Sequence, residues 1–361
     1  MAWNTDSLQA LINNKYMPVL FDNIFQKSHP LLAMLKKKAK TYNGREIAIP
    51  LEYAEGGSVV WGDQHALGTD DAGSYTPAVS DPFKQATYSP SMLTGLLLFT
   101  KEEQLVANSD EAVKNVITAK IKNLQKTIEK NVATNLWGQA DVSGAWNRLG
   151  LLLQPATSTA HTVGGIEVDT SPATNLWWQT PVHDANVTTE TPSDLAYAPE
   201  IELEDSTKAN YIGKLLSIGV AKARAQTGEN PDIIMVSQYI FDLIEQVLDP
   251  RKTGSKMNQM MGAMGFTAID YRGIPIVADQ DLGNVGGLAS PVEDFSNMYF
   301  LNTKYLYMFF NSGAKFKAGG LIEDTRSNTF VQKVHAFGNM VVSNRGAHSI
   351  VQNVYTPNDY Q

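Results

Sequence analysis

Apolar and polar residues change rhythm several times along this chain, and each change marks an element. Between residues 5 and 40 the apolar positions Leu8, Leu11 and Ile12, then Val19, Leu20, Ile24 and Phe25, then Leu31, Leu32 and Leu35 come in short helical bursts broken at Pro18 and Pro30. Such an arm has no core of its own, so it must lie against its own body or a neighbouring subunit. From Gly44 the period falls to two: Ile47, Ile49, Leu51 and Tyr53 alternate with Ala48, Pro50 and Glu52, which predicts a strand, and Pro50 makes it an edge strand. A second extended run, Phe83 to Leu93, carries Pro82 and Pro90. Between the two runs lies "AEGGSVVWGDQHALGTDDAGSYTPAVSD", rich in Gly, Asp, Ser and Thr. Ordering each of these residues costs about 1–2 kcal/mol in backbone entropy, and the stretch has few large apolar side chains to offset that. The pattern therefore predicts a long hairpin with a poorly packed tip, and Trp61, Leu67, Tyr75 and Phe83 become candidates for contact with another chain.

The clearest helix follows. Val113, Ile117, Ile121, Leu124, Ile128, Val132 and Leu136 repeat every three or four residues, with Lys114, Lys120, Lys122, Lys126 and Lys130 on the other faces. Asp110 is a fitting N-cap and Gly138 a fitting terminator. Some 28 residues at about 1.5 Å each give a rod of about 40 Å, long enough to act as a beam. Residues 154 to 207 are rich in Thr, Ser, Pro, Asn and Ala and read as long surface loops anchored by Trp177 and Trp178. Two amphipathic helices, "KANYIGKLLSIGVAKARAQTG" and "SQYIFDLIEQVLD", then flank the apolar strand "DIIMV". "TAIDY" and "IPIVAD" form hairpin arms across Arg272 and Gly273, a spacing that suits a tight turn. The chain finishes in strands: "NMYFLNTKYLYMFF", "FVQKVHAFGNMVV" and "SIVQNV".

Composition narrows the function. The 361 residues are 43% hydrophobic and 18% charged, which describes a globular chain, and the net charge of −8 disfavours gripping nucleic acid as a main task. Residues 1 to 40 nonetheless hold six lysines against Asp6 and Asp22, a local +4 that leaves −12 for the remainder. With no cysteine, disulfides, thiolate nucleophiles and cysteine zinc sites are excluded. The start shows no basic region followed by an apolar stretch, and "MLTGLLLF" at 92 to 99 is too short to span a bilayer, so neither secretion nor membrane insertion is expected.

Catalytic patterns are sparse. Asp279 and Asp281 could in principle form an acid/base couple, yet they sit where turn-formers begin and read as solvated turn carboxylates. Asp63 with His65, and His183 with Asp184, have no third ligand at metal spacing and read as loop residues. No Gly-x-Ser-x-Gly elbow is present, and "GNVGGLAS" and "KAGGL" lack the lysine and hydroxyl of a phosphate loop, so both read as turns. His335 and His348 lie in strand-like runs and read as structural. Lys36, Lys37, Lys38 and Lys40, beside the apolar face of "LLAMLKKKAK", suit either contact with phosphate or an acidic partner, or a solvated helix face. No cofactor or metal is expected.

The order of elements says more than any motif. A basic N-terminal arm, a long extended hairpin, a beam helix ending in "NLWG", a lone helix-strand-helix unit, the "YRGIPIVADQDL" hairpin and the closing "RSNTFVQKVHAFGNMVVSNRGAHSIVQNV" together resemble the major capsid proteins of tailed bacteriophages. Their shared fold is named after phage Hong Kong 97. The resemblance implies an α+β capsid fold with residues 1–40 as N-arm, 41–100 as the extended E-loop, 101–140 with 322–361 as a peripheral domain carrying the spine helix, and 141–321 as the axial domain. In that frame Gly273 turns the chain, Pro275 keeps one hairpin arm at an edge, and the two aspartates carry no chemistry. The resemblance further implies a non-enzymatic coat protein whose hexamers and pentamers tile an icosahedral shell, a virion capsid assembled in the host cytoplasm. Scaffold, portal and decoration proteins are the implied partners, with packaged double-stranded DNA inside, bound without sequence specificity. Some members cross-link an E-loop lysine to a neighbour's asparagine. Lys84 is the only lysine between 45 and 100 and Asn353 lies in the last strand, but no activating carboxylate accompanies them. An encapsulin-type nanocompartment shell, which shares the fold, and a hydrolase with dispersed carboxylates are the alternatives.

Overall fold

The computed structural model describes residues 29–53, 83–100, 110–137, 144–156, 161–168, 175–185, 206–248, 268–279, 282, 295–324 and 329–355. Trp61, Leu67, Tyr75, Asp63, His65, Asp281 and the "GNVGGLAS" stretch lie outside them, as does the arm before residue 29.

In chain order the elements are α1 (Pro30–Lys37), β1 (Lys40–Tyr42), β2 (Ile47–Glu52), β3 (Phe83–Tyr88), β4 (Ser91–Thr100), α2 (Asp110–Trp137), α3 (Leu149–Leu152), β5 (His161–Val163), β6 (Ile166–Val168), a 3-10 turn (Leu176–Trp178), β7 (Val182–Asp184), α4 (Ser206–Thr227), β8 (Ile233–Val236), α5 (Gln238–Leu248), β9 (Ala268–Tyr271), β10 (Ile274–Ala278), β11 (Phe295–Leu301), β12 (Leu306–Asn311), β13 (Lys317–Asp324), β14 (Thr329–Val342) and β15 (Ser349–Tyr355).

Two sheets organise these elements. In the first, β14 is flanked by β13 and β4 along its first half and by β12 along its second, with β1 added parallel to β12. The predicted beam, α2, lies on one face of β4: its stripe residues Ile121, Leu124, Ile128, Val132 and Leu136 are buried. A Cβ at Gly95 would come within 2.9 Å of Leu124 and 3.2 Å of Ile128, so glycine there lets helix and strand approach. The second sheet runs β7-β15-β11-β8-β10-β9, with β8 parallel to β10 and β15 parallel to β7. Helices α4 and α5 cover one face through Leu216, Val220, Ile240 and Ile244, while Ile233, Met235 and Leu301 face the core shared with the first sheet. Strand β8 is buried at all four positions, as a strand covered on both faces must be.

Several expectations are corrected. "NMYFLNTKYLYMFF" is two strands, because Asn302–Tyr305 turn away: the Thr303 amide donates to Asp232 Oδ1 at 2.9 Å and the Lys304 amide to Asn302 Oδ1 at 3.0 Å. "KAGGL" opens strand β13, which shifts register between Ala318 and Leu321 where its two glycines sit. Residues 154–207 include the β5–β6 hairpin and β7, so His183 and Asp184 lie in a strand paired with β15. Pro275 is not on an edge strand, since β10 lies between β8 and β9. It is tolerated because its missing N–H points away from β9, one residue before the pairing of β10 with β8 begins at Ile276. Asp279 is 1% exposed rather than solvated, and its Oδ1 lies 3.3 Å from His29 Nδ1.

Candidate assembly surface

The apolar residues of β4 divide between its two faces. Leu97 and Phe99 point with Gly95 toward α2 and are buried. Met92, Leu96 and Leu98 point the other way and are 58%, 52% and 50% exposed. The antiparallel register carries this second face across the sheet: Met92 pairs with Phe337, Thr94 with His335, Leu96 with Lys333 and Leu98 with Val331, which in turn pairs with Ile322 of β13, itself 59% exposed. At one end Met92, Phe337, Ala314, Gly319, His335 and Lys317 line an open groove of about 410 Å³. Scattered exposed leucines are ordinary on a folded chain, but here Leu96, Leu98, Val331 and Ile322 form one apolar row, which Thr94, His335 and Lys333 separate from the Met92–Phe337 pair. Sequence reasoning singled out "MLTGLLLF" only for its length. The signal it missed was that both residue parities of the strand are apolar, which is what a strand meant for burial on both faces requires.

Of the contact candidates within the described residues, Phe83 opens β3, is 60% exposed, and lies beside Glu52 in the β2–β3 pair. Lys36 is half-buried and Lys37 exposed at the end of α1. Lys38 turns back onto its own subunit, donating to Thr303 Oγ1 and standing 3.8 Å from Asp232 Oδ2. Lys40 stands over the Tyr307 ring at 3.6 Å. The lysine run therefore divides, with its C-terminal part pinning α1 to the body. Phe83 lies on β3, whereas the lysines lie on and just after α1, so the structure carries them on different elements.

Buried charge is concentrated elsewhere. Arg345 donates Nε–H to Leu152 O at 2.8 Å, Nη1–H to Trp178 O at 2.9 Å and Nη2–H to Gln154 O. Burial brings its pKa down to about 10, which leaves it charged at neutral pH. Burial first, and the Arg345 charge second, bring His348 down to about 3, and its Nδ1 accepts the Asn302 amide at 3.2 Å. Burial likewise pushes the Tyr88 hydroxyl above its usual range while that hydroxyl donates to Val342 O at 2.9 Å. On the surface, Lys304 beside Glu229 at 2.5 Å holds that carboxyl below its ordinary value. These groups tie segments together; among the described residues no group of three metal-ligating side chains is assembled, and no helix is long and apolar enough to cross a membrane.

No protein-family profile matches the sequence, and no curated protein matches it. Solved structures do. A chain of the cyanophage A-1(L) capsid asymmetric unit aligns over 91% of this chain and 93% of its own, with a TM-score of 0.54 at 15% identity. A chain from the capsid of the native GTA particle, computed with C5 symmetry, aligns over 89% of this chain and 90% of its own, with a TM-score of 0.51 at 10% identity. The chain has the Hong Kong 97 capsid fold. Within this chain α2 packs on the sheet that holds β14, α4 and α5 cover the six-stranded sheet, and Ile47, Leu51, Ala86 and Tyr88 of the β2–β3 pair join the core the two sheets share.

Proposed function

We propose that this chain is a major capsid protein whose copies associate into pentamers and hexamers and close an icosahedral shell around double-stranded DNA. The observation that carries the reading is the open apolar face of β4, β13 and β14 on a chain with the capsid fold over nine-tenths of its length. A second copy of the same chain is the occupant that fits, because cyclic contacts between copies bury such a face once per subunit. The net charge of −8 suits a container that confines DNA without adhering to it. The chain's role is structural rather than catalytic. Scaffold, portal and decoration proteins are the partners this reading calls for, with assembly in the host cytoplasm and residence in the virion.

The domain boundaries given above are carried here as a proposal, with the sheets as the guide to assigning β12, β13 and β15. The peripheral domain then takes α2 with 306–311, 317–324 and 329–342, and the axial domain keeps β15. Electron microscopy and sedimentation of the purified protein test the function. Closed shells or five- and six-fold rings are expected; a single small species at every concentration and salt condition would overturn the reading.

A further inference from the structure

We infer that the β5–β6 hairpin and the 3-10 turn at Leu176–Trp178 form a bracket that fixes the angle at which the β2–β3 hairpin leaves the subunit, with Lys84 as its latch. The bracket is itself rigid. Trp178 is buried, its Nε1–H donates to Val163 O at 3.0 Å, and Arg345 holds its carbonyl from the core side. Asn175 Nδ2 donates to Glu167 O at 2.9 Å, fastening the start of the turn to β6. Both strands of the β2–β3 pair rest on this platform.

At the end of β2, Tyr53 stacks on Trp177 with ring centroids 5.0 Å apart and planes at 27°. On β3, the Thr87 amide donates to Gly164 O at 2.9 Å. Gly164 has φ +62°, and a Cβ there would come within 2.9 Å of the Tyr88 ring and 3.1 Å of Ala86, so glycine is needed both for the turn and for the approach. Lys84 closes the assembly: its Nζ donates to Asn175 Oδ1 at 3.0 Å and stands 5.1 Å from the Tyr53 ring and 5.7 Å from the Trp177 ring. A cation over two stacked rings with a hydrogen-bond acceptor beyond them is a directional contact. Because one platform grips both strands, a swing of the hairpin about its root must break the stack, the Lys84 contacts and the Thr87 bond together. Lys84 thus acts within its own subunit.

The latch stands on geometry alone; its consequence for particle size rests on the assembly reading. Amide hydrogen exchange on unassembled subunits separates the two. Lys84→Met keeps the alkyl stem and loses the charge and donors, and it should raise exchange at the Thr87 amide about threefold. Trp177→Ala should raise it about tenfold or more. Lys84→Arg, which keeps charge and donors, should restore protection, and amides in the β12–β14 pair should stay unchanged in every variant. Shells built from Lys84→Met should spread in diameter where the parent gives one size. Unchanged Thr87 exchange in both Lys84→Met and Trp177→Ala overturns the latch, and lost protection with shells of unaltered size overturns its angle-setting role. If the parent chain formed no shells, the assembly reading would fail while the exchange result still decided the latch.

Discussion

Arg345 and His348 sit four residues from the start of β15 or closer, one fully charged and one neutral, in the same buried corner. The arginine is held by the carbonyls of Leu152 and Gln154, at and just past the end of α3 where helical partners run out, and by that of Trp178. Arg345→Met fills most of the volume but takes the donor from three carbonyls, two of them on the buried residues Leu152 and Trp178, so we expect about 3 kcal/mol of lost stability in denaturant unfolding. His348 reports on pH. Unfolded, its ring takes a proton near pH 6.5; folded, burial and the Arg345 charge delay that to about 3. Between these values the unfolded chain binds more protons, so stability falls as pH drops below about 6.5, by up to about 1.4 kcal/mol per unit, and the loss is complete below about 3. His348→Asn, whose Oδ1 can still accept the Asn302 amide, removes this contribution. Urea midpoints at pH 6.5 and 4.5 should show the parent losing about 2 kcal/mol more than the variant; equal losses would mean that the imidazole is not kept neutral by the fold.

The α4 and β11 elements meet where Gly219 faces Phe300, and a Cβ at Gly219 would fall 2.2 Å from that ring. Two effects oppose each other in Gly219→Ala. Alanine gains about 1 kcal/mol of helix propensity, whereas driving a methyl into a ring that is 0% exposed costs about 1–3 kcal/mol or more. The clash wins, and we expect net destabilisation of about 2 kcal/mol, partly relieved when Phe300→Leu is added, as thermal or urea unfolding of the double variant would show.

Element by element, the sequence was readable where the cause is local. The Arg272–Gly273 turn follows from its two-residue spacing, and both residues take positive φ, 53° and 83°, as a primed turn requires. The stripe of α2 is likewise written in its own residues. What stayed hidden depends on distant partners. Strand β13 looks like a glycine turn until β14 offers Gln332 and Val331 as register partners, and Asp279 looks solvated until His29, 250 residues earlier, covers it. The contact face of β4 was hidden in the same way: only the placement of α2 reveals which leucines are left over.

At the scale of the whole molecule, the question is whether that leftover face serves folding or assembly, and paired substitutions on one strand separate the two. Leu96→Thr with Leu98→Thr keeps strand propensity and net charge while removing two exposed leucines. Positions that are half in water change folding stability by no more than about 0.5 kcal/mol. If neighbouring copies cover them, losing two leucines removes about 3 kcal/mol of burial per subunit, so the concentration needed for shells should rise at least tenfold. Leu97→Thr, one residue away but 2% exposed and facing α2, should do the reverse, lowering unfolding stability by about 2–4 kcal/mol. Sedimentation gives the first quantity and urea unfolding the second. High salt should not abolish assembly in the parent, because an apolar contact is strengthened, not screened, by excluded salts. A double threonine variant that assembles at the parent concentration would place the subunit contacts on some other surface.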